Sequence, residues 1–157
     1  MTKIPPFLWF DMQAEEAANF YVSIFKNSRI LNIARYGEAG PGPKGGAMTV
    51  VFELDGQKFI ALNGGPHFKF NEAISFSVEC KTQDEVDEFW GKLSQGGQES
   101  QCGWVKDRFG LSWQVNPTQL GEMLGDPDPE KSKRVMKAML GMKKIDIAGL
   151  RKAYEQQ

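Results

Sequence analysis

One imidazole, two thiols and a few side-chain amides are what this sequence offers for chemistry, and each has to be weighed by its setting. His67 follows Gly64-Gly65-Pro66. A lone imidazole in a Gly-Pro segment reads as a loop residue, because a zinc or transition-metal centre needs three or four protein donors. Cys102 stands two residues before Trp104. With no histidine base beside it, its thiol is expected to stay protonated near neutral pH, which argues against a nucleophile. Asp107-Arg108 precedes Phe109-Gly110, a setting for a turn and a surface ion pair before it is one for a site. The glycines of residues 37–46 suggest a phosphate cradle, but such a loop opens a helix and this one leads into a strand pattern. Trp9, Trp90, Trp104 and Trp113 read first as core aromatics. No catalytic triad or paired carboxylates stand out.

The elements that must position these groups belong to a chain of 157 residues with a formal charge of -1. That length suits a single domain, taken as 1–157, and the near-neutral balance gives no field to gather nucleic acid or acidic lipid. Apolar runs such as residues 7–10 fall far short of the roughly 20 needed to cross a bilayer. Lys3 and Pro5-Pro6 leave no apolar leader, so a cytoplasmic protein with Cys80 and Cys102 both reduced is expected.

Helical spacing places Ala17, Phe20, Tyr21, Ile24 and Phe25 on one stripe of a first helix, with Asp11 placed to start it. Val86, Phe89, Trp90 and Leu93 form a second stripe, opened by the capping box Thr82-Gln83-Asp84-Glu85 and closed by Gly96-Gly97. The two stripes repeat at an offset of 69, and the strand runs 4–10 and 74–80 are taken to follow the same shift, Trp9 falling on Val78. Strands are expected at 28–36, 47–54 and 57–63, the last pair joined by Asp55-Gly56, and at 98–102, 104–107 and 112–116. Each unit is thus β-α-β-β-β: module one 4–64 and module two 73–117. A helical extension, 118–157, has a breaker at Asp126-Pro127-Asp128-Pro129, a helix from 129 to 140 and a last helix to about 154.

Several stretches resemble the vicinal-oxygen-chelate superfamily, the glyoxalase and bleomycin-resistance fold, and within it the PhnB-like branch labelled demethylubiquinone methyltransferase-like. They are Pro6-Phe7-Leu8-Trp9-Phe10-Asp11, Glu16-Ala17-Ala18-Asn19-Phe20-Tyr21, Ser28-Arg29-Ile30, Asn63-Gly64-Gly65-Pro66, Cys102-Gly103-Trp104 and Asp107-Arg108-Phe109-Gly110-Leu111-Ser112-Trp113-Gln114. The resemblance implies an α+β fold of two βαβββ modules around a U-shaped cavity, in a homodimer, with a divalent ion held by His and Glu in metal-dependent relatives. Carried over one by one, the implied ligand positions fall on Pro6, Ala61 or Asn63, Ala73 and Gln114. Proline and alanine offer no side-chain donor and Gln114 only a neutral oxygen, so no metal and no other cofactor is expected, and metal-dependent lyase, isomerase or dioxygenase chemistry is expected to be absent.

Strand alternation then names the cavity wall. If Pro6 and Ala73 face inward, so do Leu8, Phe10, Ser75 and Ser77. The Asp55-Gly56 turn pairs Phe52 with Phe59, Val50 with Ala61 and Met48 with Asn63, and Trp104, Ser112 and Gln114 complete the set. A mostly apolar wall with isolated polar groups suits an apolar or amphipathic small molecule. A metal-independent enzyme of unknown substrate, or a vestigial cavity with a structural role, fits the same residues; the methyltransferase label finds no Gly-rich strand-to-helix turn to support it. The stripe Val135, Met136, Met139 and Leu140, followed by Ile147 and Leu150, together with unpaired sheet edges, points to a homodimer.

Overall fold

We describe residues 2–156 from a computed structural model. The chain forms two compact units, 1–70 and 71–157, each built around one four-stranded sheet.

The first unit runs β1 (Phe7–Phe10), α1 (Ala14–Ile24), β2 (Arg29–Arg35), β3 (Ala47–Leu54) and β4 (Gln57–Asn63). Its sheet order is β1-β4-β3-β2, with β1 parallel to β4 and the other pairs antiparallel. Asp55 and Gly56 have φ of 46° and 84°, the left-handed pair that a two-residue hairpin needs, and they set the expected register of Phe52 opposite Phe59 and Val50 opposite Ala61. The alanine-rich face of α1 buries Ala14, Ala17 and Ala18 with Tyr21 and Ile24, so the helix lies close on the sheet. Tyr21 stacks on Phe52 at 6.2 Å, and Phe52 on Phe59 at 5.4 Å. Burying a phenylalanine of this kind contributes about 2–3 kcal/mol.

Asp11 does not start α1. The N-cap is Gln13, which makes no side-chain cap, and the first helical N–H, of Ala14, is accepted by Asn63 Oδ1 from β4 at 2.8 Å. Nearby, the 37–46 loop folds over Tyr36: Gly45 donates to the Tyr36 carbonyl at 2.9 Å, and a Cβ at Gly40 or Gly42 would run into the Tyr36 ring. These glycines let the backbone wrap an aromatic ring, so close approach to Tyr36 accounts for them.

The second unit runs β5 (Ser75–Cys80), α2 (Gln83–Ser94), β6 (Gln98–Glu99), β7 (Trp104–Lys106), β8 (Ser112–Pro117), α3 (Thr118–Leu124), α4 (Pro129–Leu140) and α5 (Ile147–Glu155). Its sheet order, β5-β8-β7-β6, repeats that of the first unit. Thr82 caps α2 by accepting from Glu85 N at 3.2 Å, and Asp128 caps α4 through Glu130 N at 3.0 Å. The expected strand 98–102 is short, because Cys102 and Gly103 turn the chain with φ of 59° and 83°. Helix α3 is a further element of the extension, before the two helices expected there. The three tail helices share a small core of Leu120, Val135, Ile145 and Leu150, so the expected tail stripe divides. Val135 and Leu150 are fully buried within the unit, whereas Met136 and Leu140 remain 41% and 60% exposed.

The offset of 69 holds for the helices, where Ala17, Tyr21 and Ile24 and their counterparts Val86, Trp90 and Leu93 are all buried. Between the first strands of the two modules the offset is 70. Phe10 and Cys80 end β1 and β5, and the link to the helix is residues 11–13 in one module and 81–82 in the other. A one-residue slip turns every side chain of a strand to the opposite face. The face expected to line a cavity in the first unit is therefore the face packed on α1. Leu8, Phe10, Val50, Phe52, Phe59, Ala61 and Asn63 are buried there, and Met48 is half-buried.

Candidate functional site

The second unit carries the concave feature. Its middle strand β8 alternates between two environments: Trp113, Val115 and Pro117 are buried with Val86, Trp90 and Leu93 of α2, while Ser112, Gln114 and Asn116 point to the other face. The register of β5 and β7 on β8 sets Ser75, Ser77 and Glu79 on one side of that row and Trp104 and Lys106 on the other.

Hydrogen bonds link the row. The Gln114 amide donates to Ser75 Oγ at 2.9 Å, and the Asn116 amide donates to Ser77 Oγ and to Gln114 Oε1, each at 3.3 Å. Pro117 ends β8 and is also the N-cap of α3, so the chain passes from strand to helix without a loop. Residues of α3 and of α4 consequently stand at this face. They enclose an open cavity of about 560 Å³, lined on the sheet side by Ser77, Glu79, Trp104, Gln114 and Asn116, at the turn by Cys102, and on the helix side by Leu120, Gly121, Glu122, Leu124 and Met139.

Of the wall named by strand alternation, Ser77, Trp104 and Gln114 line this cavity. Ser75 holds Gln114, and Ser112 lies beneath, 2% exposed. The first-unit members of that wall are in the core against α1 instead. Glu79 and Asn116 lie one alternation beyond Ser77 and Gln114 and were legible from the same parity. The α3 residues were missed with their helix, although Leu120, Met123 and Leu124 carry helical spacing.

Several groups that sequence spacing singled out have structural roles. Asn63 is engaged on both sides of its amide, its Oδ1 by Ala14 N–H and its Nδ2 by the Ala47 carbonyl at 3.0 Å. Asp107 is 2% exposed, so its carboxylate is not a surface group: it accepts from Phe109 N, Leu111 N and Trp113 Nε1 at 2.8, 3.0 and 2.9 Å. Gly64 leaves room for the Trp9 indole, whose Nε1 donates to the Gly65 carbonyl at 2.9 Å. Both cysteines are free thiols. Cys80 lies on the buried side of β5, where loss of solvation, aided by the Glu85 charge, pushes its thiol up to about 11.

A divalent ion of the kind the superfamily resemblance implies does not fit these residues. Pro6, Ala61 and Ala73 supply no donor, Asn63 is committed to α1, and Gln114 is bound into the amide row. Among the described residues no group of three or more His, Cys, Asp or Glu is placed to hold a metal. Nor is any helix of the described residues long and apolar enough to cross a membrane. What the cavity offers is neutral hydrogen bonding, two carboxylates, an indole and aliphatic surface.

Residues 2–116 match the family model described as 3-demethylubiquinone-9 3-methyltransferase. Among solved structures, a PhnB protein from Bacillus cereus is 38% identical, with a TM-score of 0.69 over 74% of this chain and 100% of its own. Protein PA1353 from Pseudomonas aeruginosa is 21% identical, with a TM-score of 0.63 over 74% of this chain and 98% of its own. The fosfomycin resistance protein FosX of Listeria monocytogenes, solved with Mn(II) and sulfate, shares the fold at 14% identity and a TM-score of 0.55, over 78% of this chain and 94% of its own. No curated protein matches the chain.

Proposed function

We propose that this chain, which belongs to the 3-demethylubiquinone-9 3-methyltransferase family of PhnB-like proteins in the vicinal-oxygen-chelate superfamily, binds an amphipathic small molecule in the cavity of its second unit. The observation that carries this reading is the division of the wall. One side is the sheet, with Trp104 and the linked row of Ser77, Gln114 and Asn116, and the other is the aliphatic surface of Leu120, Leu124 and Met139 on the helices. A cavity of about 560 Å³ falls in the range of drug-sized ligand sites, where a few placed polar groups orient a mainly apolar body.

Gly121 supplies the test. It lies within α3 and lines the cavity, and a Cβ built on it meets nothing within 4 Å. Gly121→Leu therefore fills ligand space while favouring the helix by about 1 kcal/mol. Titration of the neutral amphipathic fluorophore N-phenyl-1-naphthylamine should show saturable binding that weakens by about tenfold or more in Gly121→Leu, with an undiminished melting temperature. Equal binding by the two proteins would refute the site.

Methyl transfer, the activity in the family description, is the competing reading. It needs a place for a methyl donor such as S-adenosylmethionine, and the strand-to-helix links 11–13 and 81–82 hold no glycine that would let a backbone approach a nucleoside. Saturable micromolar binding of that donor by calorimetry would favour transfer over simple binding. We further propose self-association through the part of the tail stripe left uncovered, Met136 and Leu140.

A further inference from the structure

We infer that the ligand of this cavity carries a positive charge at its polar end, an inference that rests on the proposed binding site and deepens it. The charged side chains lining the cavity are Glu79, at the end of the polar row, and Glu122, on α3; no Lys, Arg or His lines it. Neither glutamate side chain has a hydrogen bond or ion pair among the described residues. Lys106, the lysine on this face of the sheet, is engaged by Glu72 in an ion pair.

A walled cleft with carboxylates of one sign focuses the field, because aliphatic walls carry field lines poorly. An anionic headgroup entering here loses hydration and meets repulsion; a cationic one is attracted to either carboxylate. Trp104 adds to this preference. Its indole is half-buried in the wall, and the face of an indole is the strongest of the side-chain rings for a cation, quaternary ammonium included. The remaining wall of Leu120, Leu124 and Met139 suits an alkyl or aryl body. The chemistry recognised is thus an amine or quaternary ammonium joined to an apolar group.

The experiment compares three probes with the same alkyl chain, each kept below its micelle concentration: octyltrimethylammonium, octyl glucoside and octanesulfonate. Calorimetry at low salt should give the ammonium about tenfold tighter binding than the sulfonate, with the glucoside between them. Replacing both carboxylates, Glu79→Gln with Glu122→Gln, should bring ammonium and sulfonate within about threefold of each other. Both side chains are exposed, so the fold should tolerate the change, and the glucoside reports on the cavity itself. Sulfonate binding as tight as ammonium, or a gap that survives the double substitution, would overturn the charge inference and leave the binding site standing. Failure of all three probes to bind would overturn the site, and the inference with it.

Discussion

The Trp113 indole N–H donates to the buried carboxylate of Asp107 at 2.9 Å, from a position six residues later in the chain. The other carboxylate oxygen gathers Phe109 N and Leu111 N, so one side chain closes the turn between β7 and β8 and fixes Trp113 against α2. Asp107→Ala would strand three donors, and hydrogen bonds to a charged acceptor are worth about 1.5–3 kcal/mol each before relaxation. Urea denaturation should show a loss of about 3 kcal/mol or more, with Asp107→Asn intermediate because a neutral amide offers one acceptor oxygen in place of two. A loss within about 0.5 kcal/mol, the range of ordinary surface changes, would contradict the structural role assigned to this carboxylate.

The two thiols should differ sharply in reactivity. Cys80 is fully buried with its thiol pushed up to about 11, so almost none is thiolate near neutral pH. Cys102 is partly exposed at the cavity. Native protein should therefore consume one equivalent of a maleimide quickly and a second only in denaturant, and a cavity ligand should slow the first. The sign of the pH effect follows from the raised value. Protonated Cys80 favours the fold, so its contribution is intact below the ordinary thiol value of 9.0 and is lost as pH climbs toward about 11. Cys80→Ala should flatten the alkaline decline in stability relative to the native sequence; an unchanged slope would refute that assignment.

Self-association is tested by light scattering. On α4, Val135 faces the tail's own core while Met136 and Leu140 lie outside it, one helical turn apart. The proposal predicts a particle of two chains at micromolar concentration that falls to one chain in the double variant Met136→Glu, Leu140→Lys. A single-chain mass for the native sequence would contradict it.

The sequence showed the helices most clearly, because burial on a helix repeats with a stripe that a small shift does not erase. Tyr21 and Trp90 were paired correctly by that stripe. Strands are less forgiving. The extra residue in the link 11–13 sets Leu8, not Trp9, at the place of Val78 in module two, and the face expected to be inner from Pro6 and Ala61 as implied ligand positions is, with period two, the core face on α1. In the second unit Ser77, reached by parity from Ala73, and Gln114, an implied ligand position, stand on the face that lines the cavity. Asn63 was misread for a different reason: its role as a cap for Ala14 is a contact across 49 positions, which no local window contains. Helix α3 was hidden by its brevity and by the absence of a polar cap, since Pro117 serves as its N-cap without a side-chain hydrogen bond.

Where a ligand sits decides the account most directly. With isotopically labelled protein, two-dimensional amide spectra recorded during titration with octyl glucoside would map the contact residue by residue. We predict that the largest shifts fall on Ser77, Cys102, Trp104, Gln114, Asn116 and Gly121, including the Trp104 indole N–H, and that they vanish in Gly121→Leu. Shifts centred instead on the first unit, at Leu8, Val50, Phe59 and Ala61, would contradict the assignment of those residues to the core and of the ligand to the second unit.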